Sequence, residues 1–264
     1  MRLCRFSTNL QTRPTAAAGP DVFYGALEGK VIRTLEGDPF DGYAFTDTWR
    51  NLDQVKLLPP CVPSKIVCIG RNYVEHAREL QNEVPEEPLI FLKPPSSVIT
   101  TGDEIVYPPE SQRVDHEGEI GVVIGRRCHR LGPDQPAAPY IFGYTCVNDV
   151  TARDLQRKDG QWTRGKGFDT FCSFGPVIST DVDPANLEVR TWRNGQLRQC
   201  GHVSQMIFPV DVLVRYISRV MTLEAGDLIA TGTPAGVGPC EVGDVVEVVI
   251  EGIGVLRNRV ASAS

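Results

Sequence analysis

A chain of 264 residues with 41% hydrophobic and 23% charged side chains can bury one large core with a small appendage, or two modest ones. Its composition matches neither disorder nor a coiled coil. Lys and Arg number 27 against 33 Asp and Glu, a formal charge of −6 with no basic block, which argues against nucleic acid as a partner. The eight cysteines form no CxxC pair and no zinc-like spacing, so they read as free thiols in a reducing cytoplasm. Residues 1–9 lack the apolar stretch of a signal peptide, and no window approaches about 18 uninterrupted apolar residues. A cytoplasmic protein without membrane association is therefore expected.

In chain order, residues 22–27 and 29–32 read as short strands, and Pro39-Phe40-Asp41-Gly42 as turn chemistry. Leu57-Leu58-Pro59-Pro60-Cys61-Val62-Pro63 fixes φ repeatedly and suits a connector, so a small β-rich domain is expected over residues 1–58 and a larger one over 59–264. Residues 65–70 form a buried-type strand, followed by a helical stripe of Tyr73, His76 and Leu80. Further strands are expected at 105–107, 119–124, 140–147, 227–230 and 244–250, and helices at 151–158 and 210–221. Strands outnumber helices without regular alternation, which favours a β-rich α+β fold over a doubly wound one.

The chemistry concentrates in Asp115-His116-Glu117-Gly118-Glu119-Ile120. Strand alternation projects Glu117 and Glu119 to one side, beside Gly121, Val123 and Gly125, while Ile120, Val122 and Ile124 face the other. Two acids in such surroundings repel unless a cation joins them, although a solvated strand edge would show the same pattern. No second histidine follows at HExxH spacing, and an all-oxygen site suits Mg²⁺ or Mn²⁺ better than zinc. Asp149 supplies a third acid at the end of a strand, with Thr151 expected to cap the next helix and Asp154 to act as its capping-box partner. A turn or helix-start role is the commoner one for an Asp in such a place. In that helix Arg153, Gln156 and Arg157 share one face, an arrangement that suits a bound carboxylate or an exposed ion-pair face.

Gly70-Arg71-Asn72-Tyr73 with His76, Glu117-Gly118-Glu119, Asn148-Asp149-Val150-Thr151-Ala152-Arg153-Asp154, Lys166 and the run Thr231-Gly232-Thr233-Pro234-Ala235-Gly236-Val237-Gly238 together resemble the fumarylacetoacetate hydrolase family, from about residue 60 to 260. Residues 1–58 resemble the extra domain of its acylpyruvase, oxaloacetate decarboxylase and heptadienedioate or muconate isomerase branch. The resemblance implies a mixed β-roll, a homodimer, and Glu117, Glu119 and Asp149 as ligands of Mg²⁺ or Mn²⁺. Eukaryotic members carry a further metal carboxylate where Ile69-Gly70-Arg71 stands here, so water or substrate is expected to complete the coordination. By the same resemblance His76 and Glu79 form a catalytic dyad and Lys166 is the active-site lysine. The resemblance further implies that Arg71, Tyr73, Arg153, Gln156 and Thr233 contact the substrate, with Thr233 at its carboxylate.

The implied substrate is a small 2-oxo acid, chelated through its carboxylate and keto oxygens so that an enolate can form. Hydrolysis of a C–C bond in an acylpyruvate is the reading favoured at this level. Decarboxylation of oxaloacetate and isomerisation of a dienedioate share the same enolate. A non-catalytic Ca²⁺-binding module would explain the acids but not His76, Glu79 and Lys166. No GxGxxG follows a strand, and the Thr231 run lacks a P-loop ending, so nucleotide sites are not expected. The stretch Asn82-Glu83-Val84-Pro85-Glu86-Glu87-Pro88 fits a lid or a polar loop.

Overall fold

The protein is described by a computed structural model over residues 1–13, 19–81 and 83–263. It is the strand-rich α+β fold expected. Its largest sheet has twelve strands, running in order Gly42–Asn51, Val31–Asp38, Val22–Glu28, Arg2–Ser7, Cys172–Ser179, Ile141–Asp149, Gly118–Ile124, Leu228–Ala230, Ile66–Gly70 and Leu89–Lys93. Lys56–Leu58 adds to Arg2–Ser7, and Val98–Ile99 adds to Cys172–Ser179. The N-terminal strands therefore continue the sheet, joined where Arg2 and Leu3 pair with Ser179 and Ile178.

A second sheet of five strands packs against the first, in the order Gln196–His202, Glu188–Arg193, Val245–Ile250, Gly254–Ser262, Glu104–Tyr107. Alternation along Gly118–Ile124 explains the contact. Ile120, Val122 and Ile124 enter a core with Val248, Ile250 and Leu256. Val123 turns to the opposite core, with Val147, Cys68 and Phe174. The sheets approach so closely at Gly118 that a Cβ there would lie 1.9 Å from Thr191 Oγ1, which accounts for a glycine between two glutamates.

Among the described residues four α-helices border the sheets: α1 (Val74–Glu79), α2 (Arg153–Asp159), α3 (Thr163–Lys166) and α4 (Val210–Val220). In α4, Leu213, Val214 and Ile217 are buried at one-turn spacing, and each apolar side chain removed from water contributes about 1.5–3 kcal/mol. The Thr151 cap is a correction. Thr151 lies in the short strand Thr151–Ala152 and its hydroxyl donates to the Asp149 carbonyl, while Ala152 starts α2 with no side-chain cap. Asp154 instead accepts from Ser111 Oγ at 2.6 Å and from the Gln112 amide at 2.9 Å. Pairing with Val114–His116 holds this segment extended for two residues beyond the predicted helix start.

The cysteines are free. Among the described residues no helix is long and apolar enough to cross a membrane.

Candidate active site

Three carboxylates meet where two strands of the large sheet run side by side. Glu117 occupies the break between Val114–His116 and Gly118–Ile124, and Asp149 ends the neighbouring strand. The backbone joins them, because the Asp149 amide donates to the Glu117 carbonyl at 2.8 Å and the Glu117 amide to Asn148 Oδ1 at 3.0 Å. Glu119 follows at the second strand position. All three are buried, each offering an oxygen within 4.8 Å of the others.

Buried cations surround two of the three. Lys166 Nζ, at the end of α3, donates to Glu117 Oε2 at 2.8 Å and Asp149 Oδ2 at 2.6 Å. Lys93 Nζ donates to Asp149 Oδ1 at 2.5 Å and to the Val150 carbonyl at 3.0 Å. The Arg153 guanidinium bonds Glu117 Oε1, Asp115 Oδ2 at 2.9 Å and Gln156 Oε1 at 2.7 Å. Glu119 has no cationic partner among the described residues and accepts only the Gly232 amide, at 2.7 Å.

The titration of these groups follows from that arrangement. Burial pushes the Glu117 carboxyl up, but Lys166, Arg153 and His76 together hold it well below the usual range. Burial, then Asp149 and Glu117, push Glu119 well above it. Burial opposes charge on Lys166, yet Asp149 and Glu117 outweigh it and keep the ammonium protonated. Glu119 is thus the acid that lacks a counter-charge. An all-oxygen set with one uncompensated member fits a hard divalent cation such as Mg²⁺ or Mn²⁺, and ionised carboxylates retain lone pairs beyond those the lysines use.

A cavity of about 340 Å³ opens over the triad. Of the residues expected in the site, Arg71, His76, Glu117, Glu119, Asp149, Arg153, Gln156, Lys166 and Thr233 line it. Burial lowers the His76 imidazole, against the pull of Glu117. His76 Nδ1 stands 3.4 Å from Glu79 Oε2, and both Glu79 oxygens accept the Gly236 amide, at 3.1 and 3.2 Å. Glu79 therefore reaches the cavity only through His76, while tying α1 to the 231–238 turn.

Tyr73 is not brought to the cavity. Its ring is packed in the main core as α1 begins, and its backbone bridges Met206. The Thr233 hydroxyl donates to the Gly118 carbonyl at 2.8 Å and accepts from Gln199 Nε2 at 2.6 Å, so its proton is already committed within the protein. Of the proposed lid, Asn82 lies outside the described residues; Glu87 accepts from the Tyr216 hydroxyl on α4 at 3.3 Å.

Several residues at the site are not evident from sequence motifs. Lys93 closes the apolar run Leu89–Lys93 just before two prolines, a position where a buried lysine is a usable signal. Asp115 shares strand parity with Glu117, which was a second one. Gln199 arrives from the other sheet, where its oxygen accepts from the Gly118 amide at 2.9 Å and lies 3.2 Å from His116 Nδ1. Nothing in the local sequence marks it. Trp162, which also lines the cavity, stacks edge-on against Phe91 with ring centroids 5.1 Å apart.

The fold and this acid cluster define a known class. The chain belongs to the fumarylacetoacetate hydrolase family: the family model "Fumarylacetoacetate (FAA) hydrolase C-terminal" matches residues 65–261, and "Rv2993c-like, N-terminal" matches residues 1–60. Among individual relatives, an uncharacterized protein of Archaeoglobus fulgidus is 57% identical, covering 83% of this chain and 85% of its own. Oxaloacetate tautomerase YisK of Bacillus subtilis is 44% identical over 80% of this chain and 74% of its own. The crystal structure of 2-hydroxyhepta-2,4-diene-1,7-dioate isomerase from Mycobacterium marinum superposes with a TM-score of 0.88 at 44% identity, covering 100% of this chain and 99% of that one.

Proposed function

We propose that this protein is a divalent-cation-dependent enzyme that enolises a small 2-oxo acid, with His76 moving the proton. The observation that carries the reading is one cavity holding a buried histidine, a buried lysine kept charged and three converging carboxylates. Bound to Glu117, Glu119 and Asp149, Mg²⁺ or Mn²⁺ would chelate the substrate's carboxylate and keto oxygens and stabilise negative charge on the latter. His76, held neutral near pH 7 by burial, can take a proton from the carbon beside the keto group and return it elsewhere on the enolate. Lys166, being charged, cannot serve as that base and instead offsets the developing negative charge.

The tautomerase and isomerase names of the relatives support proton transfer as the overall reaction. C–C hydrolysis, favoured by the sequence reading, would use the same residues with water in place of the carbon acid, and the His76–Glu79 contact suits it. The test is incubation with Mg²⁺ and a panel of oxaloacetate, acylpyruvates and a dienedioate in D₂O. Deuterium entering beside the keto group faster than without protein, with no cleavage product, is the expected result. Release of pyruvate and a carboxylic acid from an acylpyruvate would favour hydrolysis, and no acceleration of either kind would overturn the proposal.

A further inference from the structure

Gln199 is buried and does not line the cavity, yet its amide is bonded at both ends to parts of the site. Its Oε1 accepts from the Gly118 amide at 2.9 Å and lies 3.2 Å from His116 Nδ1, while its Nε2 donates to Thr233 Oγ1 at 2.6 Å and to the Pro234 carbonyl at 2.8 Å. A backbone N–H can only donate and a backbone carbonyl only accept, so Gly118 and Pro234 between them fix which end of the amide faces which way. Thr233 Oγ1 must then accept from Gln199 and give its own proton to the Gly118 carbonyl, at 2.8 Å. These bonds close a ring through both polar groups of Gly118, the residue between Glu117 and Glu119.

The turn held in this way touches both working parts of the site. At its start the Gly232 amide donates to Glu119 Oε2 at 2.7 Å, and near its end the Gly236 amide donates to Glu79, which stands beside His76. Its path is fixed by close approach. Gly232 and Gly236 have φ 98° and 100°, and a Cβ on Gly236 would lie 1.9 Å from the Arg198 carbonyl oxygen. A Cβ on Gly201, two residues beyond Gln199, would lie 2.5 Å from Pro234 Cβ. Packing brings the turn onto the strand Gln196–His202, and the Gln199 amide supplies directional bonds that register it against Gly118. Glu117 and Glu119 are also held independently of Gln199, by ladder pairing with Ile141–Asp149, and Glu117 by Lys166 and Arg153 as well.

We propose that Gln199 is a positioning residue which, acting through Thr233 and the 231–238 turn, sets where His76 and Glu79 stand relative to the carboxylate triad. It thereby governs turnover and leaves the binding of metal and 2-oxo acid to the triad. The inference rests on the functional reading above, in which His76 moves a proton on a substrate held at the triad. Proton transfer needs the base within about 3 Å of the reacting atom, and a displacement of about 1 Å can cost about 10²-fold in rate.

The test compares Gln199→Met, Thr233→Val, Thr233→Ser and the double variant of the first two, using the acid that unaltered protein exchanges fastest in D₂O. Each protein is measured for kcat, for calorimetric affinity for Mg²⁺ and then oxalate, and for Tm. Gln199→Met and Thr233→Val should each lower kcat by about ten- to a hundredfold with Mg²⁺ and oxalate affinity kept, and the double variant should be no slower than the slower single. Thr233→Ser, which keeps both hydroxyl bonds, should keep kcat. Undiminished kcat in Gln199→Met, additive losses in the double variant, or a fall in affinity as large as the fall in kcat overturns the inference. A lower Tm without the split between kcat and affinity would mark Gln199 as structural only and overturn it too. Should Gln199→Met not fold, Thr233→Val decides: loss of kcat restored in Thr233→Ser supports the inference, and full kcat removes the path by which Gln199 acts. Absence of exchange by unaltered protein that binds oxalate overturns the functional reading, and the inference with it.

Discussion

The two ends of the cavity are built on opposite plans. At the inner end, the acids are buried and matched to cations from one strand and two short helices, except at Glu119. At the mouth, Arg71 and Arg157 have no ion-pair or hydrogen-bonding partner among the described residues, and they stand on a strained turn and on the exposed end of α2. Matched buried charges are costly to disturb, because removing one partner leaves the other desolvated and uncompensated. Unpaired cations nearer solvent can be exchanged with little loss of stability. On the function proposed above, the reaction belongs to the inner end, where the acids and His76 meet.

The comparison can be broken most sharply at Glu119. Glu119→Gln should lose Mg²⁺ binding and bring turnover to the background rate, as EDTA should with the unaltered protein. The same change should raise the Tm of the metal-free protein. The folded-state carboxyl is pushed above its ordinary value, so ionising it near pH 7 opposes folding, and a neutral amide removes that opposition. Metal titration with thermal unfolding checks both parts, and normal metal affinity in Glu119→Gln would refute the ligand assignment.

A smaller effect is expected at His76. His76→Ala should lose roughly 10²- to 10⁴-fold in turnover while binding Mg²⁺ and oxalate as before. In the unaltered protein kcat/KM should fall with acid only below the ordinary histidine value of about 6.5, because burial lowers the imidazole and the neutral form is the base. Persistence of the same acid limb in His76→Ala would assign it to another group. Smaller again is Lys93→Met, which should cost about 3 kcal/mol in denaturant unfolding, the low end for breaking a buried pair, since Lys166 still compensates Asp149. Unchanged stability would show that Lys93 is not needed to balance the acids.

The site was legible in proportion to how local its geometry is. Glu117 and Glu119 could be placed on one side because strand alternation is a property of the backbone, and Asp149 because its strand ends there. Asp115 and Lys93 left weaker traces, in strand parity and in a lysine closing an apolar run. Tyr73, expected at the substrate from the family resemblance, does not line the cavity: it stands just before α1 with its ring in the core, a direction that the motif does not reveal. The Thr151 cap failed for a related reason, since pairing with Val114–His116 outweighs a side-chain cap.

By itself, then, the sequence determined the residue types of the acid cluster, the strands that carry them and the family they belong to, all of which follow from short-range pattern. Only the tertiary structure decided which charges meet. Gln199 reaches the Thr233 hydroxyl from a different sheet, Lys93 and Lys166 converge on Asp149 from 56 and 17 residues away, and Arg157 has no partner among the described residues where Arg153, one turn earlier, is bound. Such pairings depend on the packing of one sheet on another and on which cations the buried acids claim. No local pattern encodes them, because a charge settles its partner only after the chain has brought distant segments together and removed the water between them.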